Sequence, residues 1–182
     1  IIDHLDYLQQ LGVTALWMTP VLENDMPNRT EHGYAFTDHY TIEPRLGGSE
    51  GYRALSDALH KRGMKLIQDA VYNHVGLYHF LVQDLPDSSW LHQWPVYTQT
   101  NCRGEPLMDP HASDIDRRLS SDGWFTREMP DLNQDNKDLA EFLIQHAIWC
   151  VETFGVDGWR IDTYMYNSLD FMNRCNEALI TE

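Results

Sequence analysis

The sequence predicts an α/β protein whose strands lie parallel in one sheet. Three short runs of strand-forming residues, VTALWMTP (13–20), MKLIQDAVYNH (64–74) and VDGWRID (156–162), are separated by segments with helical spacing. Strands that alternate with helices form βα units, and these units place their strands parallel to one another. Each run also ends in polar residues, and α/β proteins carry their functional groups at the carboxyl ends of such strands.

The helical segments show apolar residues at intervals of three and four and glycines at their ends. Ser49 is predicted to cap the second of them, and Gly63 to end it. The predicted helices cover residues 1–11, 49–62 and 137–154, and a last segment in which Met172, Cys175 and Leu179 share one face.

Residues 76–135 interrupt this alternation. They contain PDSS, NCRGEP and MDPHASD and show little periodicity, which is unusual for so long a stretch in a compact domain. We predict an inserted subdomain, called the insert below, with Trp90, Trp94 and Trp124 in its core rather than acting as sugar platforms. The chain is thus divided into residues 1–75, 76–135 and 136–182.

Composition limits the possible partners. The net charge is −15, from 28 acidic and 13 basic residues. Nucleic acids and anionic membranes need clustered Lys and Arg, so neither is an expected partner. No run of 18 apolar residues is present to form a transmembrane helix. The three cysteines match no disulfide or metal framework and are predicted to be buried or free thiols.

The third strand carries two charged residues on one side. Arg160 and Asp162 are two residues apart, and side chains at this spacing point to the same side of a strand. Charged side chains are rarely placed in a core unless they are paired or functional. Asp69 and Asn73 share a side on the second strand in the same way. One such strand is compatible with a structural salt bridge, but two neighbouring strands favour a functional site.

Five segments resemble the ordered sequence signatures of the α-amylase family of glycoside hydrolases, and together they span essentially the whole chain. They are GVTALWMTP (12–20), HGYAFTDHYTIEPRLGG (32–48), DAVYNH (69–74), MPDLN (129–133) and GVDGWRID (155–162). The resemblance implies a (β/α)8 TIM barrel with a subdomain inserted after its third strand. The three predicted strands would then be strands two to four of a partial barrel, and the insert follows the middle one as the family pattern requires.

The resemblance also implies roles for residues of the site. Asp162 matches the catalytic nucleophile, and Arg160 would stabilise its ionised carboxylate. Asp69 and His74 match residues that contact the glucosyl unit at the cleavage site, and Tyr34 would stack on that sugar ring.

Calcium is the one cofactor that the resemblance suggests, although none is required for the reaction. Asn73 and Asp131 match calcium ligands of many family members. The histidine and lysine that often follow the nucleophile in those members are replaced by Tyr166 and Met165. This departure leaves both a calcium site and a purely structural role open for Asn73.

A retaining glycosidase needs two carboxyl groups, and the resemblance places the acid/base glutamate on a later strand than those seen here. Glu182 is expected at the end of the last helix rather than in that role. We therefore expect the sequence to be the central part of a longer enzyme and to be inactive alone. Exposed edges of its incomplete sheet would favour a homo-oligomer.

The form MPDLN resembles the neopullulanase and cyclomaltodextrinase branch of the family. The implied partner is an α-glucan oligosaccharide: a maltooligosaccharide, a cyclodextrin or pullulan. The implied compartment is the cytoplasm or periplasm of a bacterium. Two alternatives remain open. One is a non-catalytic, amylase-like sugar-binding or accessory domain, against which the presence of both Arg160 and Asp162 argues. The other is a metal-dependent barrel hydrolase that uses Asp69, His74 and Asp162.

Overall fold

The computed structural model describes residues 1–28 and 30–181. The strands are β1 (Ala15–Trp17), β2 (Lys65–Ala70) and β3 (Gly158–Ile161). The helices are α1 (Leu5–Gln10), α2 (Gly48–His60), α3 (Phe80–Gln83), α4 (Glu105–Met108), α5 (Asp114–Ser121), α6 (Lys137–Phe154) and α7 (Leu169–Thr181). The expected position of Glu182 at the end of α7 lies outside the described residues.

The strands form one parallel sheet in the order β1-β2-β3, which confirms the predicted α/β class. Ala15 pairs with Lys65 between β1 and β2, and Asp69 pairs with Arg160 between β2 and β3. All three strands are shorter than the sequence predicts. The apolar run at residues 13–20 predicts a buried strand, and this is wrong, because β1 is an edge strand of the sheet and Trp17 is 54% exposed.

One face of the sheet is covered by α2 and α6. Leu66 and Gln68 point from β2 into this layer and are buried. The Gln68 side chain joins the two helices, since its Oε1 accepts from the Tyr52 hydroxyl at 3.0 Å and its Nε2 donates to the Cys150 sulfur at 3.4 Å. Because neighbouring residues of a strand face opposite sides, Asp69 points away from the helices.

The helix limits follow from local sequence, with one correction. Asn136 caps α6 by accepting hydrogen bonds from the amides of Asp138 and Leu139, and Gly155 ends it with a φ of 63°. Ser49 does not cap α2, contrary to the prediction. The helix begins at Gly48 after Gly47, whose φ of 106° is a conformation that glycine adopts without strain.

The insert is joined to the sheet through the segment after β2. The Leu132 amide donates to the Asn73 carbonyl at 2.8 Å, and the backbones of His74 and Asp131 form an isolated antiparallel β-bridge. Trp90 is buried. The half-buried Trp94 and Trp124 donate their indole N–H groups to backbone carbonyls, each at 3.0 Å. Trp90 is therefore in the core as predicted, whereas Trp94 and Trp124 lie outside the core and are held by these hydrogen bonds.

Cys150 and Cys175 are buried free thiols and Cys102 is an exposed one, as predicted. Over residues 1–28 and 30–181, no helix has the length and apolar character needed to cross a membrane.

Candidate active site

Asp69 is the most enclosed carboxylate at the carboxyl ends of the strands. It lies near the end of β2, and its side chain has no exposed surface. Its Oδ2 accepts from Trp17 Nε1 at 3.0 Å and from the Tyr34 hydroxyl at 3.2 Å. Burial raises the pKa of Asp69, and the hydrogen bonds from Trp17, Arg160 and Tyr34 oppose that rise. The carboxylate is therefore held by three different elements of the chain.

Arg160 joins Asp69 to Asp162. Its Nη1 lies 3.2 Å from each oxygen of Asp69 and 2.7 Å from Oδ1 of Asp162. Burial lowers the pKa of Arg160, but the two carboxylates outweigh this effect and raise it. One guanidinium nitrogen thus bridges two carboxylates at the ends of neighbouring strands.

Asp162 is the more accessible of these two carboxylates. It follows β3 directly, and its backbone N–H donates to the Ala70 carbonyl at 2.8 Å, which continues the parallel pairing by one residue. Its side chain is 17% exposed, against none for Asp69. Within the described part of the chain, Arg160 is the only side chain that donates to Asp162, and it contacts Oδ1. The second oxygen is left available to a ligand.

The chain turns sharply after Asp162. Thr163 has a φ of 48°, in the left-handed region that β-branched residues rarely occupy. Its Oγ1 is buried and has no hydrogen-bond partner in residues 1–28 and 30–181. Strained residues of this kind are found at functional sites, where the surrounding structure holds them.

His74 lies beside this cluster as a neutral imidazole. Burial lowers its pKa to about 4, against the opposing effect of the Asp162 charge, so it is uncharged at neutral pH. Its Nε2 is buried and has no partner among the described residues. The ring contacts Phe125 of the insert, with a centroid separation of 5.4 Å.

Tyr34 reaches the same site from the loop before α2. Beyond its hydroxyl contact with Asp69, its ring stacks on His32 with a centroid separation of 5.8 Å. Burial and the neighbouring Asp69 raise the pKa of Tyr34, so its hydroxyl stays protonated and donates. The structure therefore brings together Tyr34, Asp69, Arg160 and Asp162, with His74 beside them; these five residues and Trp17 are called the charged cluster below.

Asn73 and Asp131 are close together, but they are engaged with other groups. Asp131 Oδ1 accepts from Asn73 Nδ2 at 2.8 Å, and its Oδ2 lies 2.6 Å from His92 Nδ1. Burial raises the pKa of Asp131 to about 7, against the effect of its hydrogen bonds. Burial lowers the pKa of His92, but Asp131 outweighs it, so that the net shift is upward.

This donor set does not fit a calcium ion. Calcium takes about six to eight oxygen ligands. Here both Asp131 oxygens face nitrogen atoms, and the Oδ1 of Asn73 is the one buried oxygen of the pair without a partner. Among the residues that the structure describes, no group of three or more acidic, histidine or cysteine side chains is arranged to hold a metal.

The sequence did not predict three features of these sites. Trp17 reaches Asp69 from the neighbouring strand, which depends on strand register. His92 contacts Asp131 although the two residues are 39 positions apart in the sequence. The spacing of His92 relative to other residues did not indicate this contact. The left-handed conformation at position 163 was not predicted, because the residue there is a threonine and not a glycine or an asparagine.

The fold and the sequence match known proteins. Residues 1–178 match the family model of the α-amylase catalytic domain. The chain is 33% identical to the intracellular maltogenic amylase of Bacillus subtilis (strain 168), in an alignment that covers all of this chain and 29% of that protein. It is 32% identical to neopullulanase 2 of Thermoactinomyces vulgaris, over 89% of this chain and 26% of that protein. The chain thus spans less than a third of each of these curated relatives.

A solved structure agrees. The α-amylase of Geobacillus thermoleovorans, crystallised with acarbose, superposes with a TM-score of 0.82 and 30% identity, over 99% of this chain and 37% of that one. The family match includes every residue of the charged cluster. The chain therefore belongs to the α-amylase family and forms part of its catalytic domain.

Proposed function

We propose that the protein containing this sequence is a retaining hydrolase of α-glucosidic bonds. One observation carries the proposal. Asp162 presents a carboxylate at the carboxyl end of β3, with one oxygen bound by Arg160 and the other available. A nucleophile in a retaining glycosidase needs this arrangement, because it must be ionised, oriented and open on one side.

The proposed reaction begins with attack of Asp162 on the anomeric carbon of an α-glucoside. The bond to the leaving sugar breaks as a covalent glycosyl-enzyme forms, and water later hydrolyses that intermediate. The hydrogen bond from Arg160 to Oδ1 orients the Asp162 carboxylate before attack. The fixed positions of Arg160 and its carboxylates also mean that little reorganisation is needed as charge develops.

The other residues of the cluster would bind the reacting sugar, directly or indirectly. The enclosed Asp69 would act indirectly, by holding Tyr34 and Arg160 in place, because contacts from protein donors already occupy both of its oxygens and its side chain has no exposed surface. The Nε2 of the neutral His74, which has no partner among the described residues, would pair with a hydroxyl of the reacting sugar. Tyr34 offers an aromatic face for the ring. Together these contacts would fix the anomeric carbon near Asp162.

The second carboxyl group of the mechanism must come from another segment. Asp69 cannot protonate a leaving group, because its side chain has no exposed surface and both of its oxygens accept bonds from protein donors. We propose that residues outside this sequence supply the acid/base group, and that the 182 residues alone do not hydrolyse α-glucans.

The same reasoning extends to the fold. We propose that β1, β2 and β3 are strands two to four of a (β/α)8 barrel, with residues 76–135 as its inserted subdomain. The two edge strands of the sheet would then pair with the remaining strands of the barrel. The helix-covered face of the sheet and the charged cluster on its opposite face support this arrangement.

The relatives support the substrate class. They are named as a maltogenic amylase, a cyclomaltodextrinase and a neopullulanase. We propose maltooligosaccharides, cyclodextrins and pullulan as substrates. The alternative of a non-catalytic sugar-binding domain is disfavoured by the contact between Arg160 and Asp162, which binding alone does not need.

The test is hydrolysis of maltoheptaose, β-cyclodextrin and pullulan by the full-length protein and by its Asp162→Asn variant. We expect activity in the wild type and a loss of at least about a thousandfold in the variant, equal to roughly 4 kcal/mol in barrier height. Asp170→Asn, at an exposed position of α7, is the matched control and should retain activity. An inactive wild type, or an active Asp162→Asn variant, would overturn the proposal.

A further inference from the structure

We propose that Trp17 is a positioning residue that sets how Arg160 divides its contacts between Asp69 and Asp162. The inference rests on the proposed function, because it concerns the orientation of the proposed nucleophile. It assigns a role in the reaction to a residue of β1 whose hydrogen bond, among the described residues, goes to Asp69 and not to Asp162.

Trp17 is unusual for an exposed aromatic residue because its one polar atom faces a buried charge. It is the last residue of β1 and pairs with Ile67, two residues before Asp69 on β2. Its side chain is 54% exposed, yet Nε1 donates to Oδ2 of Asp69 at 3.0 Å. The indole therefore reaches along the edge of the sheet and binds the carboxylate from the side opposite β3.

The same indole also contacts Arg160. The guanidinium carbon lies 5.4 Å from the centroid of the Trp17 ring, within the range of a cation–π interaction. Trp17 thus contacts both members of the Asp69–Arg160 pair, and it contacts each through a different part of the ring system. A phenylalanine in its place would keep an aromatic face and lose the N–H donor together with the second ring.

The distances from Arg160 to its two carboxylates indicate the effect of the Trp17 N–H donor. Arg160 Nη1 lies 3.2 Å from both oxygens of Asp69, which is long for a charge-assisted hydrogen bond, but 2.7 Å from Asp162. Two neutral donors, Trp17 and Tyr34, already satisfy Oδ2 of Asp69. Because they share in stabilising that buried charge, Arg160 makes its short bond to Asp162 instead.

Loss of the indole N–H should reverse this preference. With one donor fewer, the buried carboxylate of Asp69 would attract the guanidinium more strongly, and the bond from Arg160 to Asp162 would lengthen. The nucleophile would then be less well oriented and its ionised form less well stabilised. A misplacement of about 1 Å in a reacting group can reduce the rate by about a hundredfold.

The decisive variant is Trp17→Phe in the full-length protein, with Trp159→Phe as its matched control. Trp159 is a half-buried tryptophan of the other edge strand, and its side chain packs against the hydrophobic core. For Trp17→Phe we expect kcat to fall between about tenfold and a hundredfold, KM to change less than kcat, and the acidic limb of the kcat/KM profile to move to higher pH. Trp159→Phe should change none of these.

A purely structural role of Trp17 would lower the folded fraction without moving the pH profile. Unchanged kcat and an unchanged profile in Trp17→Phe would overturn the inference, while an inactive wild type would overturn the proposed function instead. A crystal structure of Trp17→Phe separates a positioning role of Trp17 from a purely structural one without an activity assay. We expect Arg160 Nη1 to have moved toward Asp69 and beyond hydrogen-bond distance of Asp162. An unmoved Arg160 would refute the positioning role whatever the activity.

Discussion

Asp69 and Arg160 are direct partners across β2 and β3, and Nη1 of Arg160 lies 3.2 Å from both carboxylate oxygens of Asp69. Parallel pairing places them side by side, and the two-residue repeat of a strand places Asp162 on the same side as Arg160. The cluster is therefore a direct result of strand register. A shift of one residue between β2 and β3 would place Asp69 opposite an uncharged neighbour and leave its charge unpaired.

Arg160→Gln should damage both stability and activity. It removes the one charged side chain, within the described part of the chain, that bonds to Asp69, and the Asp69 side chain has no exposed surface. Breaking a buried pair costs about 3–5 kcal/mol, and we expect about 2–4 kcal/mol here because Arg160 itself is 38% exposed. The value of kcat/KM should fall at least about a hundredfold. Denaturant unfolding and initial rates on maltoheptaose provide the measurements.

A double variant isolates the cause of that destabilisation. Asp69→Asn combined with Arg160→Gln removes the buried charge together with its partner. The double variant should unfold at a higher denaturant concentration than Arg160→Gln alone. If it does not, an unpaired buried charge is not the reason for the loss. Arg174→Gln on α7 is the control, because Arg174 lies 3.8 Å from a surface-exposed Glu141 and should cost little.

Local patterns in the sequence predicted much of this arrangement. The alternation of elements predicted the parallel sheet, and Gly155 predicted the end of α6. The spacing of Arg160 and Asp162 predicted their contact, which is 2.7 Å long. These features depend on residues close together in the chain, where the periods of strands and helices apply directly.

The parts that sequence analysis missed depend on distant residues or on competition between neighbours. The contact of Trp17 with Asp69 requires the register of two strands that are 52 positions apart. Ser49 is a good cap by residue type, but the turn at Gly47 starts α2 before it. The exposure of β1 could not be read from its apolar residues, because they do not show whether a strand lies at the edge of a sheet.

Chelation should not act through Asn73 and Asp131. If calcium bound there, EGTA would lower the thermal midpoint of the full-length wild type and have a smaller effect on Asp131→Asn. We expect the same chelator-induced shift in both proteins, because Asp131 already faces two nitrogen groups. A shift that disappears in Asp131→Asn would show that calcium binds at these residues after all.

His92→Ala should destabilise the junction between the insert and the sheet. It leaves Oδ2 of the buried Asp131 without its partner at 2.6 Å. A buried polar group that loses its partner costs about 1–3 kcal/mol. Thermal unfolding of this variant beside His111→Ala, at an exposed position of the insert, measures the effect. Equal midpoints would show that the His92–Asp131 contact does not stabilise the junction.

Substitution of Thr163 should raise stability. Its φ of 48° is unfavourable for a β-branched residue, and its buried hydroxyl finds no partner in the part of the chain that the structure describes. Thr163→Ala removes the hydroxyl but keeps the backbone strain, and Thr163→Gly removes both. We expect midpoints in the order Gly, Ala, Thr, with about 1 kcal/mol between the extremes. If Thr163→Gly is the least stable, the native backbone is not strained at this position. Activity measured beside stability would show whether the turn orients Asp162.

Three buried histidines predict a loss of stability in acid. They are His39 in the loop before α2, His79 at the start of α3 and His146 on α6. His39 Nδ1 lies 2.8 Å from His79 Nε2, and His146 Nε2 lies 3.4 Å from the Cys150 sulfur. Burial lowers the pKa of all three, to about 3 for His79 and about 4 for His146. No sequence pattern groups these histidines, because His39 and His146 are far apart in the chain.

The sign of the effect follows from these shifts. An unfolded histidine takes up a proton as the pH falls through about 6.5, whereas His146 in the folded chain does so near pH 4. The stability present above pH 6.5 is therefore lost progressively on acidification, by about 1.4 kcal/mol per pH unit for each such group. The raised pKa of Asp131 acts in the opposite direction over part of this range, so the contribution of one histidine must be isolated by substitution.

We expect His146→Gln to lose less stability than the wild type between pH 7 and pH 5, and His111→Gln to behave like the wild type. Equal pH dependence in all three proteins, measured by denaturant unfolding, would mean that His146 is already protonated in the folded chain or stays neutral in the unfolded one.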